Sequence, residues 1–366
     1  MVITSRMSGN HRPSQEARVY SFKELTLWRT KLPDVEHGIL PPSNNRPNPL
    51  VSDNMVYASI FSPGAVCALD RGTGKLVWRR ELPKLAAASV YLAGGKLFAK
   101  TAQSLYAMQP ESGEILWSFC PYEDSGERIY SSPTLYTNRV FIGDRCGFLH
   151  CLDASSGKTL WKRRTNRAKK DDVNTTPIVM KGLVIVGTNA RKAFAHDAET
   201  GELAWVQKLD GPSVFGPLVH RGLVALVTQS VYLLESADGK VVRHFTWEGD
   251  SVSMAETTTK NLVVTLRGKW PPGGETQVVG LSERGIKYST SHRAFCLFLR
   301  YVDEKNLVYF CHLEGVDVCQ PESGDVVCKI KLDEQRSRVG LIEVKRNIIY
   351  ALSGKGNVYA LRHPRT

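Results

Sequence analysis

The sequence predicts an all-β fold, a single closed β-propeller of about eight four-stranded blades. Three observations predict it. One phrase recurs at intervals of about 40 residues: strand, acidic residue, glycine turn, short strand, tryptophan. Period-2 alternation of apolar and polar residues runs through the chain, and helix-period stretches are absent. The last copy of the phrase lacks its outer strand, and a strand of the missing type stands near the N-terminus.

The phrase reads CALDRGTGKLVW to Trp78, LYAMQPESGEILW to Trp117, LHCLDASSGKTLW to Trp161 and AFAHDAETGELAW to Trp205. Gly74, Gly113, Gly157 and Gly201 stand where the hairpin needs a positive φ. Asp70, Asp153 and Asp197 are placed to accept hydrogen bonds from turn amides. Each tryptophan follows its glycine by four residues, on an outer strand where its ring can pack against the neighbouring blade. Later copies keep the frame without the tryptophan: Arg243 follows Gly239, Tyr288 follows Gly285 and Cys328 follows Gly324. In the third blade the strands are expected near Ser132–Leu135, Arg139–Ile142, Phe148–Leu152 and Lys158–Lys162. The final copy, NIIYALSGKGNVYALR, supplies inner strands only. The segment around Trp28 is expected to complete that blade, closing the ring and removing an open sheet edge. The domain division is a disordered tail at 1–19, the propeller at 20–362 and a short tail at 363–366.

The phrase Ala68–Trp78, A-L-D-x-x-T-G-K-x-x-W, resembles the tryptophan-docking motif of quinoprotein alcohol dehydrogenases. It is also similar to the repeat of the propeller scaffold in the outer-membrane barrel-assembly machinery. The resemblance covers roughly residues 20–362 and implies a PQQ-like propeller. It implies no activity, because the motif holds blades together and does not touch the quinone. The dehydrogenases carry an adjacent Cys-Cys pair beside the quinone, and this sequence has none. They hold Ca²⁺ with a Glu, an Asn and an Asp. Asn174, Asn189 and Asp144 fall in upper loops here, where polar residues are the ordinary expectation.

The chain has 366 residues and a net charge of +12, an excess that favours acidic partners. A protein with an acidic surface is the expected partner, and nucleic acid is the weaker alternative. The N-terminus lacks an apolar leader, and no apolar run reaches membrane-spanning length. A cytosolic location without a membrane span is therefore expected. The eight cysteines show no C-x-x-C spacing and are expected as buried thiols. Phosphate-loop, zinc-protease and serine-elbow motifs are absent. His150, His196 and His220 lie in or beside strands as structural residues, and the Asn174 sequon is incidental. No metal and no cofactor are expected, PQQ being possible by resemblance alone.

Three segments depart from the blade template. Pro33–Pro49 is a Pro- and Asn-rich link. The run WKRRTNRAKKDD crowds Lys162, Arg163, Arg164, Arg167, Lys169 and Lys170 beside one blade. Arg267–Thr276 expands a hairpin around Trp270. The cations and Trp270 are the candidate contacts for a partner. The functional expectation is a non-catalytic protein-interaction scaffold. The alternatives are a PQQ- or small-ligand-binding propeller, with an oxidoreductase among its forms, and a basic propeller associated with nucleic acid.

Overall fold

The computed structural model describes residues 2–5, 17–33, 35, 49–60, 64–82, 89–122, 128–129, 131–165, 172–213, 215–247, 251–267, 276–282, 285–292, 296–312, 314–333 and 342–364. Its strands form eight sheets. Blade 1 holds Leu50–Val51, Met55–Ile60, Ala65–Asp70 and Leu76–Glu81, each pairing antiparallel with the next. Blades 2 to 7 repeat this order. Blade 3 consists of Thr134–Tyr136, Arg139–Gly143, Phe148–Asp153 and Thr159–Arg164, within a residue or two of the expected strands. Blade 8 takes its outer strand, Thr26–Lys31, from the N-terminus, paired with Asn357–Arg362, so the expected closure is present.

Sequence dictates how neighbouring blades fasten. Alternation turns the tryptophan of each outer strand towards the next blade, where the turn glycine leaves room for the ring. At Gly201 an added Cβ would lie 2.7 Å from Trp161 Cδ2, and at Gly74 2.5 Å from Trp28 Cε3. Both glycines also have φ near +70°. In blades 8 and 1 to 4 the indole N–H then donates to a carbonyl of that same turn. Trp28 bonds Arg71 O at 3.0 Å, Trp78 bonds Pro110 O at 2.9 Å and Trp161 bonds Ala198 O at 3.3 Å. The turn itself is set by its aspartate: Asp197 Oδ1 accepts from Thr200 N and Asp153 Oδ1 from Ser156 N, both at 2.8 Å. Between blades lie apolar clusters, such as Phe141, Trp161, Val184 and Phe194 between blades 3 and 4. Buried cysteines join these clusters, and burial pushes the Cys151 thiol up to about 11.

The later blades use other means. Tyr288 replaces tryptophan in blade 6 and its ring covers Gly324, where an added Cβ would meet Tyr288 Cε2 at 2.6 Å. Two strands from the first residues join the ring from outside, both parallel to their hosts. Val2–Ser5 pairs with the outer strand of blade 5, His244 to Trp247, and Arg18–Ser21 with that of blade 7, Cys328 to Lys331. A single helical turn, Phe22–Leu25, follows, opened by a capping box between Ser21 and Glu24.

Candidate functional site

The outer strand of blade 3 carries the densest described charge of the basic run. Its alternation gives its residues two different surroundings. Trp161 and Arg163 face blade 4. Leu160, Lys162 and Arg164 are exposed on the other side, and of the two residues facing blade 4 Trp161 is buried while Arg163 keeps an exposed surface. Arg163 donates from Nε to Gly201 O at 3.1 Å and from Nη2 to Thr200 O at 2.8 Å. It therefore clamps the same turn that Trp161 covers. Lys162 Nζ stands 4.0 Å from the Phe148 ring centroid and 5.1 Å from that of Tyr122, and Arg164 lies 5.4 Å from Phe148. Cations over aromatic faces are held in place while keeping their charge in water. Of the expected contact residues, Lys162 and Arg164 thus present cations outward, and Arg163 is engaged by the fold. Arg167, Lys169, Lys170 and Trp270 lie outside the described residues.

Beneath these cations is a closed polar cluster. Asp144, fully buried, accepts from Cys146 N and Phe148 N through Oδ1, each at 2.9 Å. Its Oδ2 accepts from Tyr122 OH at 2.8 Å and meets His150 Nε2 at 2.6 Å. Burial alone would raise its pKa, and these bonds together outweigh burial and hold the carboxyl below its usual range. The upper-loop trio is only partly brought together. Asn174 Nδ2 donates to Asn189 Oδ1 at 2.8 Å, and Asn189 bonds Asp172 at 3.1 Å. Asp144 belongs to its own cluster.

The inner strands hold a set that the sequence reading missed. Glu256 in blade 6, Arg300 in blade 7 and Glu343 in blade 8 form an ion triad. Arg300 Nη2 lies 3.1 Å from Glu343 Oε2, and Nη1 lies 3.9 Å from Glu256 Oε1. Burial raises Glu256 to about 7, with Arg300 opposing and Glu343 adding to the shift. Burial also raises Glu343, against Arg300. The three residues stand one blade period apart, so equal positions in successive repeats were the available signal. Among the described residues, no group of three or more His, Cys, Asp or Glu side chains is placed to hold a metal. Both triad carboxylates face a guanidinium that a metal would have to displace.

The sequence matches the family model of outer membrane protein assembly factor BamB in three overlapping stretches, residues 15–180, 101–262 and 149–291. Together these stretches span more than half of the chain. The BamB of Salmonella typhimurium is 28% identical over 109 residues, which cover 29% of this chain and 26% of that protein. The matched part is thus about a quarter of the curated relative's length. Two solved structures share the fold. The quinohemoprotein alcohol dehydrogenase of Comamonas testosteroni has a TM-score of 0.70 at 12% identity, covering 93% of this chain and 77% of that one. The computationally designed Ika8 protein has a TM-score of 0.69 at 15% identity, covering 89% and 99%. These matches correct the cytosolic expectation. The relatives are named outer membrane protein assembly factors, whereas the expectation rested only on the missing apolar leader and the missing membrane-length apolar run.

Proposed function

Because the chain belongs to the family of outer membrane protein assembly factor BamB, we propose that it is a non-catalytic scaffold that docks protein partners on the faces and rim of its ring. The family match carries this reading. It is supported by a ring whose blades are fastened by repeated indole contacts, which holds loops and edges ready at little ordering cost. The exposed cations Lys162 and Arg164 add attraction for an acidic surface. Affinity recovery of the full chain from its source cell tests the reading, with nuclease treatment and washes at low and moderate salt. A stoichiometric protein partner that survives nuclease is the expected result. Recovery of the chain alone at low salt would sink it, and a partner lost with nuclease would transfer it to nucleic acid.

One observation favours a second reading, a quinone- or small-ligand-binding propeller: the Glu256–Arg300–Glu343 set lies on inner strands. The residues present do not fit PQQ with Ca²⁺. The sequence has no adjacent cysteine pair, and both carboxylates already pair with Arg300. Calorimetric titration with PQQ and Ca²⁺ is expected to give no heat of binding. Saturable heat would favour the ligand reading over the scaffold.

A further inference from the structure

The eight outer strands read TLWRTK, LVWRRE, ILWSF, TLWKRR, LAWVQK, VVRHFTW, GIKYSTSH and VVCKIK in blades 8 and 1 to 7. They hold twelve Lys and Arg against one acid, Glu81. Nearly all of the chain's net charge of +12 therefore resides on the rim. The same strands carry most of the exposed large apolar side chains, including Leu27, Val77, Leu116 and Leu160 at 44–48% exposure and Leu203 at 56%. In blades 8, 1 and 3 apolar residues precede the tryptophan and cations follow it, so these strands present an apolar half and a basic half.

What such an edge accepts is visible in the molecule itself. On blade 7, Arg18–Ser21 lies parallel along Cys328–Lys331. By position in the repeat, this stretch corresponds to Trp161–Arg164 on blade 3. The backbone alternation corresponds as well. Leu332 N donates to Glu314 O in blade 7 and Thr165 N to Gly147 O in blade 3, both at 2.9 Å. With inward and outward groups alternating along the strand, the N–H groups of Lys162 and Arg164 point to the open edge. Among the described residues, the sheet of blade 3 ends at that edge. The Lys162 carbonyl, among the described residues, receives the Arg163 side chain, at 3.2 Å. Blade 5 has the same kind of contact, from Arg243 to Val242 O at 2.9 Å, and still carries a guest strand.

We infer that the outer edge of blade 3, Thr159–Arg164, accepts an extended acidic segment of a protein partner as a parallel fifth strand. Main-chain bonds would supply the pairing, with Lys162 and Arg164 selecting carboxylates and Leu160 an apolar neighbour. This rests on the scaffold reading and names its docking edge. The test uses the full chain and an eight-residue peptide alternating Glu with Val, followed by fluorescence anisotropy. The same peptide with Gln for Glu is expected to bind at least about tenfold more weakly, as is the Glu peptide to K162Q/R164Q. At saturation, amide exchange at Lys162 and Arg164 should slow at least about tenfold. Binding that ignores K162Q/R164Q, or binding without protection of those two amides, overturns the inference. So does a single-stranded DNA of equal charge that binds with the same sensitivity while the peptide does not. If K162Q/R164Q still recovers the partner of the unaltered chain from cells, the edge falls and the scaffold reading stands. If the unaltered chain recovers no partner while the peptide behaves as expected, the scaffold reading falls and the edge stands.

Discussion

Replacing Gly201 with alanine isolates the contact that fastens one blade to the next. Two costs combine there. The backbone has φ +72°, and an L side chain in that region costs about 1–2 kcal/mol. The new Cβ would also lie 2.7 Å from Trp161 Cδ2 and 3.0 Å from Cε3. Either the indole shifts or blade 4 does, an overpacking cost of about 1–3 kcal/mol. A shifted indole also strains its 3.3 Å bond to Ala198 O. Gly201→Ala is therefore expected to cost about 2–5 kcal/mol. Gly182 is the control: its φ is +77° and an added Cβ would meet nothing within 4 Å, so Gly182→Ala carries only the backbone cost of about 1–2 kcal/mol. Urea unfolding followed by circular dichroism measures both. In a Trp161→Ala background the ring is gone, and Gly201→Ala should then cost no more than Gly182→Ala, giving a coupling above about 1 kcal/mol. Equal costs for the two glycine variants in the unaltered chain would refute the reading that the ring is seated on the turn.

Three further outcomes are expected. Arg163→Met should lose about 1–2 kcal/mol through its bonds to Gly201 O and Thr200 O, while exposed Lys162→Met stays within about 1 kcal/mol, a contrast read from the same urea curves. Glu256→Gln should change the dependence of stability on pH. The native carboxyl, raised from 4.5 to about 7, keeps a proton that the unfolded chain has released. Its favourable contribution is thus fully present below about 4.5 and is lost as pH rises through 7. The variant should gain on the unaltered chain between pH 5 and 8 by at most about 3 kcal/mol, and parallel stability curves over that range would exclude the assignment. Asp144→Ala leaves Tyr122 OH, His150 and two amides without their acceptor. A loss of about 3–5 kcal/mol in urea unfolding is expected, and a loss below 1 kcal/mol would show that the cluster relaxes around the gap.

The repeat was legible because every part of it is local. The Asp-to-Gly turn and the tryptophan four residues later lie within one hairpin, and period-2 alternation orients the ring. The capping box Ser21–Glu24 was equally visible in the S-x-x-E spacing and was overlooked among strands. Arg163 is different. A basic run reads as surface charge, and only the structure brings Thr200 and Gly201 alongside it. The ion triad escaped because each member, alone, is a polar residue in a short inner strand. Parallel pairing of Val2–Ser5 and Arg18–Ser21 had no signal at all, since no turn links a guest strand to a host more than two hundred residues away.

Those two strands lie where the ring lacks its usual fastener. In blades 5 and 7 the tryptophan position holds Arg243 and Cys328. At Gly285, the turn facing blade 5, an added Cβ would meet nothing within 4 Å. Blade 8 offers blade 7 no such hairpin, because its outer strand comes from the other end of the chain. Trp247, farther along the outer strand of blade 5, packs into the cluster shared with blade 6 but does not stand at the repeat's tryptophan position, and on both blades a parallel guest adds a second ladder to the outer strand. At the seam between blades 7 and 8 the guest also brings Tyr20, Phe22 and Leu25 into the core, with Phe22 meeting Tyr359 edge-on at 5.3 Å. The N-terminal residues therefore serve closure twice, as the last strand of blade 8 and as supports for the two blades whose repeat position holds Arg243 or Cys328. Blades 1 to 4 need no such support. Their edges are fastened from behind by indoles and end, among the described residues, at four strands. An edge held rigid yet open gives up little freedom on pairing, and on this ring the open edges of that kind carry the densest described charge, at Thr159–Arg164 of blade 3.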